Sequence, residues 1–376
     1  MTRLVLVAGE ASGDLQGALL AEALRKREPG IELSGVGGER MEAAGVRLLH
    51  RSEEMAVTGL WEVLSHLPRL KRTLDDVAAG LRGNPPDALI PIDYPDFNLR
   101  LAARAHARGI PIIYYISPQV WAWRSGRIRT LARLVRRMIV IFPFEERIFR
   151  EHGIPVTYVG HPLVDRVRAS EGRESIRARL GVAPTQLLIG LLPGSRKGEI
   201  ARILPPMLEA KRLLGGDSRL RWALALAPGV AADVLPEAAR RQADLPALEG
   251  ETYDLMAASD LLLTASGTAT VEAALLTVPM IVVYRMHPVT WQLARRLVKV
   301  PHVAMANLLA GRRLVPELLQ GEVNGGRLAA EVRRLLGDPG LLQTMREGLR
   351  DAAMRLGPGG APDRAAAAIL EELGRG

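Results

Sequence analysis

Short apolar runs recur along almost the whole chain and alternate with stretches whose apolar residues fall three and four positions apart. In the first half the runs are RLVLVAG, IELSGVG, DALIPID, PIIYYIS, RMIVIFP and VTYVG; in the second they are LLIGLLPGS, RWALALAP, DLLLTAS and MIVVYR. They are nearly continuous in Val, Ile and Leu, as expected of strands covered by helices on both faces of a parallel sheet. Leu15, Leu19, Leu20 and Leu24 illustrate the helical spacing between runs. The alternation predicts an α/β protein with doubly wound parallel sheets. It breaks once. After VGHPLVD comes RVRASEGRESIRARLGVAPTQ, polar and without strand pattern, before the strands resume at Leu187. This predicts a linker and two Rossmann-like domains, residues 1–170 and 171–340, followed by an Ala-rich, strandless helical segment, 341–376. Ligands of such sheets bind beyond the carboxyl ends of the strands, so the two halves are expected to face a shared cleft.

Composition narrows the class. A chain of 376 residues exceeds what one core usually serves, and 48% hydrophobic with 24% charged residues is ordinary for a folded soluble protein. Cysteine is absent, which excludes disulfides and thiolate metal sites. The opening MTRLVLVAGE is too short in its apolar run for a signal peptide and reads as a first strand. No uncharged stretch approaches the roughly 18–20 residues that a spanning helix needs. The expected location is therefore the cytoplasm. A net charge of +9 suits nucleic acid, an anionic membrane face or phosphorylated substrates. Aromatics are only 4% and the arginines are scattered, so nucleic acid is not expected as a partner.

The strand ends hold the candidate chemistry. In VAGEASGDLQGA, Ser12, Gly13 and Asp14 follow the first strand. They suit a phosphate or sugar at a helix N-terminus, or merely a cap and close helix packing. In LLPGSRKGEI, Ser195 and Arg196 open a helix with free backbone N–H groups, a combination that suits a diphosphate. A cation there opposes the helix dipole, a conflict that a bound anion would remove. In LLLTASGTATVEAAL, Ser266, Gly267, Thr268, Ala269 and Thr270 again suit phosphate, and Glu272 can accept from a ribose or simply favour the dipole. In YYISPQVWAWR, Gln119, Trp121, Trp123 and Arg124 could line a sugar or acyl groove, or fill a core. In MAVTGLWEVLSHLPRLKRTL, Leu60, Trp61, Leu64 and Leu67 precede Arg69, Lys71 and Arg72. Apolar side chains beside cations suit an anionic leaflet, or a helix packed under a loop. Finally IDYPDFN ends a buried strand on two acids. Asp96 is placed to cap the next helix, whereas Asp93 is not needed as a cap and is free to act as a general base.

Together these strings, with GVGGERMEAAG, IFPFEE, VGHPLVD, VPMIVVYRM and NLLAG…VPELLQ, resemble the lipid-A-disaccharide synthase family, in the family's order across residues 5 to 320. The resemblance implies a GT-B glycosyltransferase, a UDP-dependent hexosyltransferase whose first domain takes the acceptor and whose second holds the donor. It implies transfer of 2,3-diacylglucosamine from its UDP donor to the 6-hydroxyl of 2,3-diacylglucosamine 1-phosphate, with inversion and without metal or cofactor. By motif match it makes Asp93 catalytic. Ser195, Arg196, Ser266 to Thr270, Glu272 and Asn307 become donor residues, and Ser12, Gly13, Asp14, Gln119 and Trp123 acceptor-side residues. It also implies a peripheral protein on the cytoplasmic face of the inner membrane, compatible with a homo-oligomer. One departure stands out. The family usually reads SLPNLLAG where this chain has Ala304-Met305-Ala306-Asn307, and without the proline a looser loop is expected. Two other readings stay open: another GT-B enzyme using a UDP-N-acetylglucosamine-type donor, and a catalytically silent nucleotide-sugar or lipid-binding protein.

Overall fold

The continuous apolar runs become parallel strands. A computed structural model describes residues 1–52, 60–118, 126–226, 235, 244–286, 291–292 and 301–374, of which 60–67 are described in backbone alone. The described strands form two parallel sheets. The first contains β1 (Arg3–Ala8), β2 (Glu32–Gly37), β3 (Arg47–Arg51), β4 (Ala88–Ile92), β5 (Ile113–Tyr115), β6 (Arg137–Val140) and β7 (Val156–Tyr158) in the order β3-β2-β1-β4-β5-β6-β7. The second contains β8 (Leu187–Leu192), β9 (Leu220–Leu226), β10 (Ala247–Glu249), β11 (Leu261–Ala265), β12 (Met280–Tyr284) and β13 (Glu317–Leu319) in the order β10-β9-β8-β11-β12-β13. In each sheet the order reverses once, at β1/β4 and at β8/β11, the doubly wound arrangement.

Burial explains the composition of the central strands. Leu4 to Ala8 and all of β4 are buried, with Leu6, Ile90 and Ile92 fully so. Each such side chain contributes roughly 1.5–3 kcal/mol on leaving water. Register places Leu4 beside both Leu33 and Ala88. One face of the first sheet packs Val7, Leu89, Tyr114 and Val140 against Leu101, Leu131 and Phe149 of the covering helices.

The division of the chain differs from the expected one. The first compact unit is Met1–Pro162 with Leu356–Gly376, and the second is Leu163–Arg355. The polar stretch read as a linker is folded into the second unit by its charges. Ser170 and Glu171 donate backbone N–H groups to Asp254 at 2.6 and 2.8 Å, and Arg173 and Arg177 pair with Asp260. The segment after Leu341 is likewise not one tail. Helix Pro339–Met354 belongs to the second unit, whereas helix Ala361–Glu372 packs on helix Ala11–Arg27 of the first. There Arg364 donates to the Val159 carbonyl at 2.9 and 2.6 Å, and Glu372 pairs with Arg136 and Arg137. No described helix is long and apolar enough to cross a membrane.

Candidate active site

In the first unit, the reversal point sets the end of β4 beside the end of β1. There Asp93 and Tyr94 take left-handed backbone angles, φ 46° and 48°, which non-glycine residues rarely adopt. The Asp93 N–H points back at the Tyr115 and Ile116 carbonyls at 3.3 and 3.2 Å. Its own carbonyl accepts from Asn98 Nδ2 and from the Tyr114 hydroxyl, each at 2.7 Å. The residue is exposed, yet protein crowds its carboxyl, and this desolvation raises the pKa from 3.8 to about 6. The negative charge of Glu10 adds to the rise, and the Tyr94 N–H opposes it. A carboxylate with that value is ionised at neutral pH and basic enough to take a hydroxyl proton.

Asp96 is not the cap expected of it. Helix Pro95–His106 begins one residue earlier with Tyr94 as N-cap and no side-chain cap bond, so Asp96 lies inside the first turn, where it pairs with Arg127. Asp14 is also corrected. Its buried carboxylate accepts from Gly38, Arg40 and Met41 N–H at 2.6, 3.2 and 3.1 Å and so orders the start of helix Glu39–Ala43. Gly13 is a packing glycine, since a Cβ there would lie 3.2 Å from the Ala8 Cβ. Of these three only Ser12 is exposed. Gln119, Trp121, Trp123 and Arg124 lie outside the described residues, as do the side chains of Leu60, Trp61, Leu64 and Leu67 on helix Leu60–Gly83.

In the second unit, the reversal point brings the ends of β8 and β11 together. Gly194 (φ 111°) follows β8, with Ser195 and Arg196 exposed beyond it. The Glu199 carboxylate lies so close to Gly194 that a Cβ there would fall 2.1 Å from Oε2, and desolvation raises its pKa while the Arg196 charge and the neighbouring main chain oppose the rise. Glu199 also supplies the anion that Arg196 was expected to lack at the helix start. The Ser195 hydroxyl and the Arg196 guanidinium lie on the exposed side of this turn.

Across the reversal point, Gly267 (φ 152°) turns the chain from β11 into helix Thr268–Leu275. Thr268 is exposed and Ala269 half-buried at its first turn, while the buried Thr270 hydroxyl donates to the Gly267 carbonyl at 2.8 Å. Ser266 donates to the Val303 carbonyl at 3.2 Å. Glu272 is half-buried and accepts from the Tyr253 hydroxyl at 3.0 Å. Desolvation raises its pKa, partly offset by that hydrogen bond.

Asn307 is corrected from ligand contact to framework. It is fully buried. Nδ2 donates to the Val315 carbonyl and Glu317 at 3.0 and 2.7 Å, and Oδ1 accepts from Leu314 and Val315 N–H at 2.7 and 2.8 Å. Both donors and both lone pairs are used. Glu317 in turn receives the N–H groups of Val303 and Ala304, at 3.1 and 2.9 Å. The loop before Asn307 is therefore tied down without the proline, and Ala306 sits in the first turn of helix Met305–Ala310, where its N–H needs no helical partner.

Sequence reasoning missed Glu10, Asn98, Tyr114, Glu199 and Glu317. Glu199 had a signal, a glutamate three residues after a helix start, which is the reciprocal-cap spacing. Asn98 had its place inside IDYPDFN.

Comparisons with known proteins identify the family and the fold. The family model for lipid-A-disaccharide synthetase matches residues 4–343. The chain is similar to the lipid-A-disaccharide synthase of Geobacter sulfurreducens, 46% identical over 99% of this chain and 98% of that protein. It is also similar to that of Myxococcus xanthus, 45% identical over 99% and 97%. Among solved structures it resembles S. aureus MnaA with UDP, TM-score 0.68 at 14% identity over 100% of this chain and 98% of that one. It likewise resembles the glycosyltransferase of kitacinnamycin, TM-score 0.66 at 17% identity over 98% of each. These structural likenesses show the fold, which is GT-B.

Proposed function

Because the chain belongs to the lipid-A-disaccharide synthase family, we propose that Asp93 is the general base of its reaction and that Arg196 and the Ser266–Thr270 turn receive the departing UDP. The reaction moves 2,3-diacylglucosamine from UDP to the 6-hydroxyl of 2,3-diacylglucosamine 1-phosphate, giving the β-1,6-linked disaccharide 1-phosphate and UDP with inversion. The bond from the acceptor oxygen to the anomeric carbon forms as the bond from that carbon to the diphosphate breaks, and the hydroxyl proton passes to Asp93. Negative charge grows on the β-phosphate at that moment. A guanidinium and a helix N-terminus stabilise it more in the transition state than in the bound donor. Ser195, Thr268 and Ala269 flank the diphosphate in this reading, Glu272 accepts from the ribose, and Ser12, with Gln119 and Trp123, contacts the acceptor.

The observation that carries the reading is Asp93 itself, an exposed carboxylate held in a strained turn where β4 ends beside β1, with a pKa raised to about 6. The test is incubation of wild type and Asp93→Asn with both lipid substrates, followed by mass spectrometry of the lipid product. Disaccharide from wild type and none from the variant is the expected result. Equal product from a folded variant removes Asp93 from the chemistry.

Both substrates carry two acyl chains, which supports peripheral work on the cytoplasmic face of the inner membrane. Helix Leu60–Gly83, with exposed Arg69, Lys71 and Arg72 following Leu60, Trp61, Leu64 and Leu67, is the proposed contact with its anionic leaflet.

A further inference from the structure

The turn that presents Asp93 is held in place by side chains that cannot touch a substrate. Asn98 is fully buried, and its Nδ2 reaches three carbonyls: Val7 at the end of β1 (3.3 Å), Ile92 at the end of β4 (3.3 Å) and Asp93 (2.7 Å). The Tyr114 hydroxyl, from β5 and equally buried in its ring, donates to the same Asp93 carbonyl at 2.7 Å. The second residue of the turn is fixed from the β1 side, because the Tyr94 ring lies directly on Gly9, where a Cβ would come within 2.2 Å of it.

Among the described residues, Asn98 Oδ1 is buried without a hydrogen-bond partner. A residue kept only to fill space would be apolar here, since an unpartnered buried oxygen is unfavourable. The position requires the amide's donors.

We propose that Asn98 and Tyr114 are positioning residues for catalysis: by clamping the Asp93 carbonyl they hold a left-handed turn that aims its carboxylate away from the sheet and toward the acceptor hydroxyl. This rests on the reading of Asp93 as the base. Two consecutive non-glycine residues at positive φ relax unless the surroundings over-determine them. Releasing the carbonyl lets the peptide rotate and swings the carboxylate with it. A displacement of about 1 Å at a reacting group can cost roughly a hundredfold in rate.

The experiment uses the full chain as Asn98→Ala, Tyr114→Phe and, in parallel, Asp93→Asn. Turnover is expressed per UDP-binding molecule, so that loss of folded protein does not count as loss of catalysis. Asn98→Ala is expected to lower kcat about 30- to 100-fold and Tyr114→Phe about 3- to 10-fold, with the donor KM and the UDP Kd within about twofold of wild type. The acidic limb of the kcat profile is expected to move to lower pH, because a freed carboxylate gains water. The charged and titratable groups around it, Glu10, Tyr94, Asp96, Tyr114 and Arg127, are otherwise unchanged in Asn98→Ala. A purely structural role would leave that limb in place. If Asn98→Ala does not fold, Tyr114→Phe decides, since it keeps the ring in the core. Unchanged kcat with an unmoved limb in Tyr114→Phe, beside an inactive Asp93→Asn, overturns the clamp alone. Full turnover by Asp93→Asn overturns the base assignment and the clamp with it.

Discussion

The two reversal points use one topology and opposite backbone solutions. At the second unit's reversal point, positive φ falls on glycines: Gly194, where a Cβ would strike the Glu199 carboxylate, and Gly267, which turns the chain into helix Thr268–Leu275. In the first unit it falls on Asp93 and Tyr94, residues that resist it. Glycine adopts this conformation without steric cost but brings no functional group. Where a side chain must act from such a turn, the strain has to be met by hydrogen bonds, and Asn98 and Tyr114 supply them. In the proposed reading, the difference separates a surface that receives the diphosphate from one that delivers a single carboxylate.

The largest test of that separation is Asp93→Asn. Loss of one general base is expected to lower kcat by about 10²–10⁴-fold while the UDP Kd is unchanged, measured by turnover and by calorimetry. In wild type, kcat should fall as pH drops through about 6, because protonation removes the proposed base, whose pKa desolvation has raised. A profile flat down to pH 4.5 would break the contrast between the two turns.

Arg196→Ala should act on the other side. We expect UDP affinity to weaken and kcat to fall as well, by about tenfold to a hundredfold together, since the guanidinium meets charge that grows during bond breaking. Unchanged affinity and rate would leave Arg196 as no more than the partner of Glu199.

A smaller effect is expected from replacing Leu60, Trp61, Leu64 and Leu67 with Ser or Gln. Vesicle co-sedimentation should drop, more at high salt than at low, because the remaining Arg69, Lys71 and Arg72 each contribute roughly 1 kcal/mol near an anionic surface. UDP binding should stay as it was. Equal sedimentation by a folded variant would remove this helix from the membrane.

The smallest effect is on stability. The folded state holds the Asp93 proton to higher pH than the unfolded chain, from 3.8 up to about 6. The ionised carboxylate is therefore a cost to folding that sets in across that window and persists above it. Asp93→Asn should raise Tm at pH 7 by about 2–4 °C, taking roughly 1 kcal/mol after discounting for its solvent access, with no gain below pH 4. A lower Tm at pH 7 would mean that the turn is stabilised by the charge it presents.

How far the sequence could be read followed burial. The central strands β1, β4, β8 and β11 are buried almost throughout and announce themselves as nearly continuous runs of Val, Ile and Leu. Of the described edge strands, β3, β10 and β13 escaped notice, because a half-covered strand such as RLLHR carries no continuous run. The candidate residues were found for a related reason. A parallel sheet places its reactive groups where strands end, and strand ends are visible as the point where an apolar run meets Gly, Ser or Asp. The roles of Asp14, Asp96 and Asn307 were not readable, since each depends on which distant N–H or guanidinium the side chain meets.

By itself the sequence determined the alternation of strands and helices, the doubly wound class, the family and the positions of Asp93, Arg196 and the Ser266–Thr270 turn. Periodicity and local composition are carried by neighbours along the chain, so they survive without a structure. Only the tertiary structure decided that the polar stretch after VGHPLVD belongs to the second unit and that the chain's last helix returns to the first. It alone decided that Asn307 and Asp14 spend their hydrogen bonds inward, and that a buried asparagine and tyrosine hold the carbonyl of Asp93. Those outcomes depend on contacts between residues far apart in the chain, such as Ser170 with Asp254 or Val159 with Arg364, and no local pattern encodes which partner will be within reach.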